Sequence, residues 1–258
     1  MKIGVLQGRL SPPVREHYQE FPDDWELEFD AIKRTNLAGT EWLITNDFDL
    51  NNPIYSQFEK IKQLPVLSIC VDTLVDKRII DKKYLFSKLL PICDLIKDSK
   101  INILTIPILD DSDLSDKTKR ENFCTLMKEI GKKFPNIKFA FESEMSIECL
   151  NEIVCLCDNF YVTYDTGNIT SSGIDHEEYI HFFKEKIINV HLKDRKFNRE
   201  TVEPTQGDTN FDLIFKNLIQ IGYEGSYIIQ TARADSGNEE QTINKHQKIF
   251  RSIYEKYI

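Results

Sequence analysis

The 258-residue chain has few cations for its size: 33 Lys and Arg stand against 42 Asp and Glu, giving a net charge of −9 and a pI near 5.2. That balance argues against a nucleic-acid binder, which needs a basic face to displace counterions from phosphates. It leaves small substrates open, because a local basic pocket fits inside an acidic protein. Long apolar runs are missing as well. The amino-terminal stretch MKIGVLQGRLSPP offers only Ile3–Leu6, too short for a signal peptide or a membrane span. Cysteines number six (70, 93, 124, 149, 155 and 157), and none forms a CxxC pair with a partner, which argues against a structural zinc knuckle. With no export signal, the expected setting is the cytoplasm, with the thiols reduced. Cys155-x-Cys157 is a weak redox or metal hint. The turn after the first apolar run, Gln7-Gly8-Arg9-Leu10-Ser11, contains neither GxGxxG nor GxxxxGK[ST], so a glycine-rich phosphate turn is absent there.

What is present is alternation. Short apolar, β-branched runs occur at Ile3–Leu6, Glu41–Ile44, Pro65–Val71, Ile101–Ile106, Ile137–Phe141, Phe160–Tyr164, Ile187–Leu192 and Ser226–Ile229. Between them lie stretches of helical spacing at Trp25–Leu37, Lys82–Lys97, Asp116–Lys133, Ser146–Cys157 and Phe211–Ile221. The last of these opens behind Asn210, a good cap, and stops at Gly222. No linker, low-complexity tract or break in composition divides the chain, so one domain over 1–258 is expected. Strands alternating with helices imply right-handed βαβ units and a parallel sheet. Eight such repeats at this length favour a closed (β/α)8 barrel, an α/β fold of the TIM type, over an open doubly wound sheet.

In such barrels the chemistry gathers at the carboxyl ends of the strands. Here those ends read Cys70-Val71-Asp72, then Ile108-Leu109 running into the acidic turn Asp110-Asp111-Ser112-Asp113, then Glu142 with Glu144, Asp165, His191 and Gln230. Glu41 stands at or near the start of the second run. A single strand-end histidine such as His191, in IINVHLKDR, is ordinarily a satisfied rim residue. Four successive strand ends offering Glu142, Asp165, His191 and Gln230 change that reading, since carboxylates next to a core are costly unless a cation or hydrogen bonds compensate them. Two carboxylates, an imidazole and an amide oxygen suit one divalent ion, with Mn²⁺, Mg²⁺, Co²⁺ and Zn²⁺ all open. The remaining histidines, 17, 176, 181 and 246, fall in loops or helical stretches. A trinuclear zinc nuclease, which needs several more strand-end histidines, is therefore disfavoured.

The segments FAFES with Glu142, YDTGN with Asp165, NVHLKDR with His191, QGDTNFD around Gly207 and GYEGSYIIQ resemble the xylose-isomerase-like sugar phosphate isomerase/epimerase family. GVLQGRLSP and GTEWL are similar to it as well. The resemblance implies a (β/α)8 barrel that binds one divalent metal through Glu, Asp, His and Glu and moves protons on ketoses, sugar phosphates or related polyols. Carried over, the metal ligands are Glu142, Asp165, His191 and position 230. Gln230 departs from the pattern. An amide oxygen still coordinates metal, but it is no base at ordinary pH, so a two-base epimerase scheme loses one partner. The change also leaves two carboxylates and a divalent ion neutral in sum, which repels an anionic substrate less.

Glu142 is the expected base by this analogy, acting on an enediolate-forming C–H. Glu144, Lys193, Glu41 and Asp72, in that order, are candidates for a second acid or base. Lys193, Arg195, Arg233 and Arg9 follow neighbouring strands and form a candidate anion-binding rim, with bidentate contact suited to the arginines. The alternative is that they pair with Asp194, Asp208 and Asp235. Arg9, Glu41, Asp72, Arg195 and Arg233 are thus the candidate substrate contacts. The Gln206-Gly207-Asp208-Thr209 turn is a weak phosphate signature, and Trp25 and Trp42 read as packing residues. The expected partner is a small carbohydrate, phosphorylated or not, with no nucleic acid and no membrane. A homo-oligomer is allowed, with Tyr179–Phe183 as a candidate interface. A metal-dependent dehydratase and a non-catalytic sugar binder are the competing functions.

Overall fold

All eight apolar runs are strands in the computed structural model, which describes residues 1–13, 19–233 and 237–258. They are β1 (Lys2–Leu6), β2 (Thr40–Leu43), β3 (Val66–Cys70), β4 (Ile103–Ile108), β5 (Lys138–Ser143), β6 (Phe160–Asp165), β7 (Ile187–Leu192) and β10 (Ser226–Ile229). Every neighbouring pair is parallel, and the order β1-β10-β7-β6-β5-β4-β3-β2 closes on itself. The chain is a (β/α)8 barrel. Two further strands, β8 (Asp194–Arg195) and β9 (Thr201–Val202), make a small antiparallel ribbon beyond β7. It went unread in the sequence because two residues per strand carry no periodicity.

Helices fill the crossovers: α1 (Trp25–Arg34), the short α2 (Pro53–Ser56) and α3 (Phe58–Ile61), α4 (Lys82–Ile96), α5 (Lys117–Lys133), α6 (Ile147–Val154), α7 (Thr166–Ser172), α8 (His176–Phe183), α9 (Phe211–Gln220) and α10 (Glu239–Tyr254). Several of them start behind side-chain caps. Asp81, Asp116, Ser146 and Asn210 each accept a backbone N–H from the first turn of the helix they open. Gly222, at φ +71°, stops the chain after α9 as a left-handed residue should. Among the described residues no helix is long and apolar enough to cross a membrane.

Two layers of packing position the site. Between strands and helices, Trp42 is fully buried against Trp25 and Phe29 of α1 and against Phe21, with ring centroids 5.2, 6.4 and 5.4 Å away. Its indole N–H donates to Asn52 Oδ1 at 2.8 Å. Both tryptophans are packing residues, as their sequence context suggested. Inside the barrel the layer beneath the mouth is polar: Ser68, Thr105, Thr163 and Asn189 are all buried there, around the carboxylate of Glu41. Such interiors are ordinarily filled by branched apolar residues. A polar layer marks this one as built around a charge.

Candidate metal centre at the barrel mouth

Register brings the strand-end residues together. Asp165 lies directly across from His191 on the neighbouring strand, and Glu142 pairs with Pro107 near the end of β4. One ligand atom each from Glu142, Asp165 and His191 falls within 4.8 Å of the others, all three side chains being buried. His191 Nδ1 is 3.4 Å from Glu142 Oε2 and 3.8 Å from Asp165 Oδ2. Gln230 follows β10, its backbone N–H donating to Leu192 O at 3.0 Å, and its side chain is 4% exposed.

Glu142, Asp165 and His191 are each held from behind. Asp165 caps α7: its Oδ1 accepts the Asn168 backbone N–H at 2.8 Å. The side chain of the same Asn168 donates to Glu142 Oε1 at 2.8 Å. Asn168 thus orients both carboxylates through one residue, a role not read from the sequence although the YDTGN segment contains it. The glycine before it is required too. A Cβ on Gly167 would stand 2.9 Å from Lys193 Cγ and 3.1 Å from Arg195 Cγ, so only glycine lets α7 pass this close to the loop after β7. Behind His191 stands Glu41, whose Oε1 accepts the Nε2 hydrogen at 2.8 Å.

The structure therefore places Glu41 beneath the imidazole, fully buried, rather than on the surface of the mouth. Lys193 is buried beside Asp165, its ammonium 2.7 Å from Oδ2 and 3.4 Å from Asn168 Oδ1. Glu144 sits farther out on the rim, paired with Arg195 Nη1 at 3.1 Å and with Arg199, beside a cleft of about 380 Å³ that also includes Asp110 and Ser172. Asp72 opens a short 3-10 turn (Asp72–Leu74) after β3. The acidic turn after β4 is exposed at Asp110 and Asp111.

Two of the aspartates offered as partners for the rim cations accept backbone N–H groups. Asp194 accepts the backbone N–H groups of Gly207 and Thr209, and Asp208 accepts that of Phe197. Asp235, like His17, lies outside the described residues. Arg9 Nε donates to Thr231 O at 3.3 Å and Arg233 Nη1 to Gly8 O at 2.6 Å, so the two arginines tie the loops after β1 and β10 to each other. His176, His181 and His246 hydrogen-bond to Tyr164 and Thr170, to Asn217, and to Thr231, and so serve the scaffold. All six cysteines are free thiols.

The electrostatics follow from burial and charge. Burial alone would push the Glu41 carboxyl up, but the His191 charge and the hydrogen bonds from His191, Ser68 and Asn189 outweigh it and leave it below its ordinary value. Asp165 is likewise held down, against burial, by Lys193 and His191. His191 is driven well above the usual imidazole range, burial being overcome by Glu41 and Glu142. Asp72 goes the other way: burial and the Glu142 charge push it up to about 7. Burial also raises Glu144, in spite of Arg199 and Arg195.

Among the described residues, His191 Nδ1 and Gln230 Oε1 are buried with no hydrogen-bond partner, and Asp165 Oδ2 meets the Lys193 ammonium at 2.7 Å. Leaving a buried polar atom unmatched costs about 1–3 kcal/mol. Two such atoms, together with the clustered carboxylates of Glu142 and Asp165, are all of metal-donor type and fit a divalent cation.

A closed parallel barrel with Glu, Asp and His converging at its strand ends defines a class of enzyme-bearing scaffolds. Residues 87–253 match the model of the xylose isomerase-like TIM barrel family, and the chain belongs to that family. The match spans Glu142, Asp165, His191 and Gln230 and leaves Glu41 outside it. Among solved structures, the 3-keto-D-glucoside 4-epimerase YcjR of E. coli superposes with a TM-score of 0.71 at 15% identity, over 98% of this chain and 99% of that one. The IOLI protein with a bound zinc atom gives 0.74 at 14% identity, over 100% and 99%. The probable 3-DHS dehydratase AsbF of Bacillus anthracis gives 0.71 at 13% identity, over 97% and 99%. No curated protein matches the sequence.

Proposed function

We propose that this protein is a divalent-metal-dependent isomerase or epimerase of a ketose or ketose phosphate. The observation that carries the reading is the buried group Glu142, Asp165 and His191, with the unmatched His191 Nδ1 facing both carboxylates at the strand ends of the barrel. Those three residues and Gln230 would hold the ion. A bound divalent cation supplies Lewis acidity, polarising a carbonyl and stabilising the negative charge that develops as the neighbouring C–H proton leaves.

Glu142 would accept that proton, its carboxylate held by the Asn168 amide on Oε1 and facing His191 through Oε2. Lys193, fixed between Asp165 and Asn168, donates to a substrate oxygen. Gln230 cannot return a proton from the opposite face. Asp72, with its carboxyl near 7, is suited to acid–base exchange and is the second group in this scheme. Glu144, bound to two arginines, stays on the rim as part of the substrate's outer contacts with Arg195. Arg9 and Arg233 shape the wall between the first and last strands, where an anionic substituent would lie. With one carboxylate fewer, single-face aldose–ketose isomerisation is favoured over epimerisation. The free thiols support a reducing, cytoplasmic setting.

The reading is tested by following hydrogen exchange into ketoses and ketose phosphates in D₂O, by NMR, with Mn²⁺ or Co²⁺ and again with a chelator. Metal-dependent deuterium at the carbon beside the carbonyl is the expected result. Loss of water from the substrate would instead point to a dehydratase. Binding without exchange, whatever the metal, would make the protein a sugar-binding barrel and end the enzymatic reading.

A further inference from the structure

Glu41 is a carboxylate in the barrel interior with no exposed surface, and no step of the proposed reaction uses it. Burying such a group costs several kcal/mol unless donors surround it. Here they do, and unevenly. Oε2 takes three donors: Asn189 Nδ2 at 2.6 Å, Thr105 Oγ1 at 3.3 Å, and Ser68 Oγ in close contact. Oε1 takes one, His191 Nε2 at 2.8 Å. The carboxylate crosses the barrel from β2 to β7, strands that are not neighbours in the sheet.

We propose that Glu41 is a positioning residue that fixes the tautomer of His191, committing Nε2 to carry hydrogen so that Nδ1 faces Glu142 and Asp165. The inference rests on the metal reading above and adds to it the reason why this particular nitrogen meets the ion. A carboxylate can only accept, so the imidazole nitrogen beside it must donate. Histidine ligands of metals are oriented in this way by a partner on the other ring nitrogen, which also raises their basicity. The three donors on Oε2 lock the carboxylate in place, so the selection does not depend on a mobile side chain.

The isosteric variant E41Q separates this role from a merely structural one. Its amide oxygen is drawn to the position where Ser68, Thr105 and Asn189 donate. Its NH₂ group is then left facing His191 Nε2, which must turn acceptor and pass its hydrogen to Nδ1. Volume and most hydrogen bonds survive while the nitrogen that meets the metal is blocked. The expected result, by calorimetric titration with Co²⁺, is affinity about 10- to 100-fold weaker than the parent. With His191 deprotonated to the neutral imidazole at alkaline pH, the ¹⁵N spectrum of metal-free E41Q should show its one hydrogen on Nδ1, and that of the parent should show it on Nε2 alone. An E41Q protein that takes Co²⁺ as tightly as the parent, or keeps hydrogen on Nε2, would overturn the proposal. So would a parent spectrum with Nε2 bare, a measurement that stands even if E41Q does not fold. If the parent takes no Co²⁺ at all, the metal reading fails while the ¹⁵N result still decides the role of Glu41.

Discussion

Glu142→Gln should lower turnover about 100- to 10,000-fold, the usual range for removing a general base. The substitution keeps size and one acceptor oxygen, so the Asn168 contact at 2.8 Å can persist. What is lost is the ability to take a proton. At saturating metal the variant should still take up ion through Asp165, His191 and Gln230, which are unchanged, while the amide oxygen at position 142 stays on the Asn168 donor. Steady-state kinetics with metal analysis on the same sample separates the two effects. A fall in kcat with metal retained is the expected pattern. Full turnover in a metal-loaded E142Q protein would remove Glu142 from proton transfer and move attention to Asp72 and Lys193.

Trp42→Ala should destabilise the protein by about 3–5 kcal/mol, as large buried aromatics do when truncated. The side chain is fully buried among Phe21, Trp25 and Phe29. Its loss also deprives Asn52 of the indole donor, and Asn52 both caps α2 and bonds Leu43 O. The neighbouring residue on β2 is Glu41, so a loosened strand should disturb the support behind His191 as well. Denaturant unfolding of parent and variant measures the difference. A loss below about 1 kcal/mol would mean that the layer collapses around the gap or that β2 draws its stability from elsewhere.

The eight strands were legible because each is a short apolar run between helical stretches, and barrel closure then told where chemistry should lie. Glu142, Asp165 and His191 were legible for the same reason: each ends such a run. Glu41 was seen but its depth was not. β2 has only four residues, and its register against β3 shifts between Thr40 and Glu41, so sequence position does not reveal height along the barrel axis. The partner it supports lies 150 residues away, beyond any local pattern. Asn168 was hidden in another way, since a helix-capping contact and a carboxylate-orienting contact come from different atoms of one side chain. The rim pairings also escaped. Arg195 reaches Glu144 on β5's loop, whereas the adjacent Asp194 turns inward to backbone N–H groups of the loop around Gly207. A Cβ at Gly207 would come within 2.3 Å of Asp194 Oδ1, which explains why that turn carries glycine without any need for a phosphate.

The most direct test is elemental analysis of purified parent protein and of His191→Ala after incubation with Mn²⁺ or Co²⁺ and removal of free ion. About one equivalent of divalent metal in the parent, and little or none in the variant, is the predicted result, since removing one ligand from a small donor set sharply weakens the site. Two folded proteins that both emerge without metal, or that hold it equally, would contradict the assignment of the barrel mouth as a metal centre.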